Sequence, residues 1–111
     1  MTRDYIKALP DIIRIGPYDI KVEKVEKIDD RDDDYAQFLS VEEKLIIIYE
    51  FGSKFAAADT VIHELLHGIW KFQHLPKKSE EERTVSVIAT GLITIFRDNP
   101  KLLKWISQAY D

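Results

Sequence analysis

The chain has 111 residues, 45% hydrophobic and 32% charged, and its 16 basic and 20 acidic side chains give a formal net charge of −4. That length predicts one domain over residues 1–111, with a single core and no second lobe. The mild acidity argues against a nucleic-acid partner, and the lack of any cysteine excludes a disulfide scaffold, a thiolate zinc finger and a thiol nucleophile.

The front half reads as strands. Ile12-Ile13-Arg14-Ile15 is a short β-branched run stopped by the turn pair Gly16-Pro17. Tyr18 to Ile28 alternates through Ile20, Val22, Val25 and Ile28, with a slip of phase after Val22 that suggests a bulge in a hairpin. Asp29 to Asp34 is an acidic run, expected to be a solvated loop. Its spacing lacks the Gly and the distal Glu of an EF-hand loop. Tyr35 to Leu39 reads as a short strand and Ser40 to Glu43 as a polar turn. Lys44 to Glu50 is the strongest strand signal, and its continuous apolar run predicts cover on both faces.

The back half reads as helices. From Lys54 to Phe72 apolar residues recur with a 3.6-residue period through Phe55, Ala58, Val61, Ile62, Leu65, Leu66, Ile69 and Phe72, and Pro76 ends the pattern. A second helix is expected from Ser79, a good N-cap followed by Glu80, Glu81 and Glu82 in the first turn. It turns Val85, Ile88, Ala89, Leu92, Ile95 and Phe96 inward and stops at Asp98-Asn99-Pro100. Leu102 to Tyr110 suggests a third helix. Strands followed by helices predict an α+β fold, a small antiparallel or mixed sheet and then a long helix with C-terminal helices behind it.

The chemistry concentrates in His63-Glu64-Leu65-Leu66-His67. Residues four apart lie one turn apart on a helix face, so His63 and His67 can aim two imidazole nitrogens at one zinc ion. Glu64 falls about 100° round from His63, beside the ion, where it suits a general base acting on metal-activated water. The apolar stripe centres near Ile62, Leu65 and Ile69, which puts the two histidines and Glu64 on the opposite side with Thr60 and Lys71. A catalytic zinc takes three protein ligands and a water. His74 shares the histidine face but is ~10.5 Å further along the axis, too far while helical. A metzincin would need Gly at position 70 and His at 73, where Trp70 and Gln73 stand. A carboxylate of the next helix is the alternative. Glu81 and Glu82 both flank that helix's apolar stripe. Gluzincin-type sites often carry a polar residue four positions after the ligand Glu; Glu82 has Ser86 there and Glu81 has Val85, so Glu82 is preferred.

Thr60 to Ile69, a Glu pair opening the next helix, Gly91-Leu92 within it and Asp98-Asn99-Pro100 closing it resemble the small zincin-like metallopeptidases of phages and prophages, related to gluzincin and ImmA/IrrE-like peptidases. The hairpin and the Leu45–Tyr49 strand also fit, so the resemblance covers most of the chain. It implies a zinc-dependent hydrolase of peptide bonds in a peptide or protein substrate. One zinc per chain would sit on His63, His67 and Glu82, with Glu64 as general base. Tyr49, Tyr110 and His74 are open candidates for stabilising the oxyanion. Zincins hold substrate extended along an edge strand, for which Leu45–Tyr49 is the candidate. The alternatives are a zinc-binding regulatory or interaction module of phage origin without turnover, and a metal-free accessory protein that binds a host factor. Met1 to Tyr5 lacks the apolar core of a secretory signal and no apolar run reaches the ~18 residues of a membrane span, so a cytoplasmic location without a membrane partner is expected.

Overall fold

The computed structural model describes residues 2–28, 35–72 and 81–111. It has an α+β architecture: α1 (Arg3–Lys7), β1 (Ile12–Ile15), β2 (Tyr18–Val25), β3 (Ala36–Leu39), β4 (Lys44–Ile48), α2 (Lys54–Phe72), α3 (Glu81–Asp98) and α4 (Pro100–Ser107). The expected acidic loop, Pro76 and the Ser79 cap lie outside the described residues.

The sheet is mixed, in the order β1-β2-β4-β3, with β2 and β4 parallel and the two outer pairings antiparallel. The pairing of β2 with β4 runs without interruption from Lys21↔Lys44 to Val25↔Ile48, so the phase slip after Val22 is not a bulge. Lys24 continues the face of Ile20 and Val22. Its side chain is only 11% exposed, and the ammonium donates to Lys7 O at 2.8 Å and to Leu9 O, beside the Asp11 carboxylate at 3.1 Å. A buried aliphatic stem with a satisfied head group takes the place the pattern reserved for an apolar residue.

Strand β4 also departs from its reading. Leu45 and Ile47 are fully buried, whereas Ile46 and Ile48 on the other face are half-buried. Its apolar run marks an inner strand, with one face deeply covered. That face joins Ile13, Ile15, Ile20 and Val22 to Val61, Leu65 and Ile69 of α2 in one core, each such side chain contributing roughly 1.5–3 kcal/mol on burial.

Helix α2 has the bounds its periodicity predicts. Ser53 is its N-cap, the hydroxyl accepting from Ala56 N–H at 3.0 Å, and the Asp111 carboxylate accepts from Lys54 N–H at 2.9 Å. The buried stripe runs through Ala57, Ala58, Val61, Leu65, Gly68 and Ile69. It is turned toward Val61 and Gly68 relative to the expected centre, so Phe55 is left 68% exposed. Gly68 sets how closely the helix approaches the sheet, since a Cβ there would stand 2.9 Å from both Ile15 Cδ1 and Phe38 Cζ. Gly91 does the same for α3 against Ile69, at 3.0 Å. On α3, Ile95 is buried as expected, but Ala89 is exposed.

No periodicity in the sequence predicts the helix at residues 3–7. Tyr5, Ile6 and Leu9 are buried, and the Tyr5 ring stacks on Trp105 of α4 at 4.2 Å. The Tyr5 hydroxyl donates to Trp105 O at 2.8 Å and the Trp105 indole N–H donates to Tyr5 O at 2.6 Å. Burial, together with the charge of Asp111, pushes the Tyr5 phenol up to about 12. The folded value thus lies above the unfolded value near 10, so this stabilisation is complete below about pH 10 and is lost as pH rises through about 12. Denaturant unfolding across that window should show wild type losing on the order of 2 kcal/mol more than Tyr5→Phe. Equal pH slopes for the two proteins would refute the assignment.

Candidate metal centre

The helical backbone of α2 carries His63, Glu64 and His67 on consecutive turns. Both histidines are exposed and Glu64 is half-buried, so none belongs to the core. Glu64 sits closer to the buried stripe than the wheel predicted, because that stripe is turned toward Val61. The two imidazoles converge: their Nε2 atoms are 3.1 Å apart, with ring centroids at 4.8 Å and planes at 79°. Two nitrogens bound tetrahedrally to one zinc at 2.0–2.1 Å would be separated by about 3.3–3.4 Å. The pair is therefore pre-positioned to within a few tenths of an ångström of that edge length. The two Nε2 atoms share one hydrogen bond, whose donor is set by the tautomers, and a cation would replace it. Ligand atoms of His63, Glu64 and His67 all lie within 4.8 Å of one another, a group that could hold a metal ion.

The other predicted site residues stand differently. Glu82 and Glu81 belong to the first turn of α3, and their side chains lie outside the described residues, as does all of His74. Tyr49 packs under the Arg3 guanidinium, 4.2 Å from its ring centroid, and Tyr110 is 72% exposed. Among the described residues no hydrogen bond or ring contact joins either tyrosine to the histidine pair.

The edge strand is corrected. Leu45–Tyr49 cannot present a free edge, because β4 lies between β2 and β3. The outer strand on the α2 side is β3, whose Phe38 meets Gly68 and packs edge-on against Phe72 at 5.9 Å. Ile48 N–H donates to Tyr35 O, which makes Tyr35/Ile48 a hydrogen-bonded pair and, by alternation, Gln37/Ile46 and Leu39/Lys44 as well. The N–H and C=O groups of Ala36 and Phe38 then face outward, and among the described residues no other backbone hydrogen bond takes them. The opposite edge is capped at Arg14. At β1 the outward groups of Arg14 are both taken by the Asn99 side chain, N–H to Oδ1 at 2.9 Å and Nδ2–H to Arg14 O at 2.9 Å. A side-chain amide thus stands in for a neighbouring strand. A sequence signal for this assignment existed: β3 is short and carries Gln37, whereas β4 is continuously apolar.

Among the described residues no helix is long and apolar enough to cross a membrane. Comparison with known proteins finds no family model, no curated protein and no solved structure that matches the chain significantly.

Proposed function

We propose that the chain is a zinc-dependent metallopeptidase of the zincin type, with His63, His67 and Glu82 as ligands and Glu64 as general base. The observation that carries this reading is the convergence of the two Nε2 atoms at 3.1 Å on an exposed helix face with the Glu64 carboxylate beside them. Two imidazoles and a carboxylate suit zinc, and a bound ion would supply the positive charge that acidifies water and polarises a peptide carbonyl. Glu64 takes a proton from the attacking water and returns one to the leaving amine, which its place beside the histidines, one step along the helix, allows. The open edge of β3, with Ala36 and Phe38 presenting main-chain groups, supports an extended peptide as substrate. The phage-type resemblance of Thr60 to Pro100 points the same way.

The test is cleavage of a diverse peptide library by the purified protein, with zinc measured on the same samples. About one zinc per chain and chelator-sensitive cleavage are expected. Zinc without any cleavage would favour a regulatory zinc-binding module, and the absence of zinc would remove the reading. The third ligand has its own test. Glu82→Gln should weaken zinc binding far more than Glu81→Gln, since one carboxylate takes with it both its charge and a coordination bond. The reverse ranking would move the ligand to Glu81, and two small, equal effects would exclude both.

A further inference from the structure

A cleft of about 590 Å³ lies between the turn end of β1 and the C-terminal half of α3, away from the histidine face of α2. Arg14 and Gly16 line it from the sheet, and Thr90, Thr94, Arg97 and Asp98 from the helix. In a chain of net charge −4 the lining of this cleft carries two cations and one anion. Both guanidinium groups are held at Nε. Arg14 Nε donates to Gly16 O at 3.0 Å, and Arg97 Nε donates to the Asp98 carboxylate at 3.0 Å. Those bonds orient the planes, while among the described residues the terminal amino groups of both arginines make no hydrogen bond or ion pair. Thr94 uses its hydroxyl proton on Gly91 O at 2.9 Å. Thr90, one turn earlier on the same helix face, is exposed.

The cleft continues into a smaller apolar recess of about 170 Å³ that shares Gly16, Gly91 and Thr94 with it and is floored by Pro17, Tyr18, Ile69 and Phe72. There Tyr18 and Phe72 stack at 4.2 Å, a rigid aromatic wall. Paired guanidinium forks favour an oxyanion, which they can grip by parallel N–H···O bonds. An apolar recess next to them favours a ligand with an apolar body. We propose that this cleft binds a small organic oxyanion, a phosphate monoester or carboxylate on a flat apolar group, with the head on Arg14 and Arg97 and the body against Tyr18 and Phe72.

The experiment is a calorimetric titration of the full chain at low salt with phenyl phosphate, benzoate and inorganic phosphate. Saturable binding of phenyl phosphate or benzoate is expected, and whichever binds more tightly identifies the head group. Arg14→Gln and Arg97→Gln should each weaken it about 10- to 100-fold, as expected for losing hydrogen bonds to a charged group. Both side chains are solvent-facing, and unchanged circular dichroism would verify the fold of each variant. His63→Ala should bind as wild type does, which separates this cleft from an anion captured by a metal at the histidines. The proposal is overturned by the absence of saturable binding at millimolar concentrations, or by binding indifferent to both arginine variants. Loss of binding in His63→Ala, or inorganic phosphate binding as tightly as phenyl phosphate, would also overturn it.

Discussion

Glu64→Gln should keep the fold and the metal while peptide hydrolysis falls by about 10²–10⁴-fold, the usual contribution of a positioned general base. The substitution is isosteric and falls on a half-buried position of an otherwise regular helix, so stability should change by no more than about 0.5 kcal/mol. What it removes is the only group in the described cluster able to accept a proton from water without giving up a ligand atom. The amide oxygen of Gln is far too weak a base to replace it. The measurement is kcat on a cleaved library peptide for both proteins, with zinc content determined on the same preparations. Cleavage by Glu64→Gln at the wild-type rate would falsify the mechanism outright. A variant that loses zinc together with activity would instead make Glu64 a ligand.

Removing either imidazole should abolish stoichiometric zinc. His63 and His67 are exposed, so an alanine at either position leaves the core of Val61, Leu65 and Ile69 untouched. On the proposed reading each removes one of three ligands, and two would not hold a catalytic zinc. The effect can be read without an activity assay. A ligand present at 100 times its Kd stabilises the native state by about 2.7 kcal/mol, which for a domain of this size raises Tm by roughly 10 °C or more. Wild type should show that rise on adding zinc, and His63→Ala and His67→Ala should not. Full zinc occupancy in both variants would dismiss the centre.

The two expectations rest on a motif legible from end to end in the sequence. A helix without proline between Lys54 and Phe72, with a histidine at each end of a four-residue step, permits few other arrangements, and the Nε2 convergence follows from helix geometry. The third ligand is different in kind. Spacing ranks Glu82 above Glu81 only through the Ser86 four positions on, and which carboxylate faces the histidines depends on how α3 approaches α2, a matter of packing at Gly91 and Ile69.

Taken alone, the sequence determined whatever depends on neighbours a few residues apart. The bounds of β1 and α2, the stop at Asp98, the α+β order and the face shared by His63 and His67 all follow from periodicity, turn residues and caps, which act over a single turn or strand. Only the tertiary structure decided which strand forms the edge, because strand order is set by pairings between residues distant in sequence. β4 inserts between β2 and β3, Asn99 caps Arg14 on the β1 edge from 85 residues away, and β3 is left with outward main-chain groups. The same holds for α1, too short to announce itself and stabilised by the reciprocal hydrogen bonds of Tyr5 and Trp105 across 100 positions. It holds too for Lys24, whose burial is tolerated because carbonyls of residues 7 and 9 receive its ammonium. The Arg14–Arg97 cleft belongs to this second group: each arginine is an ordinary surface residue in the sequence, and the packing of α3 against β1 brings both to the lining of one cleft.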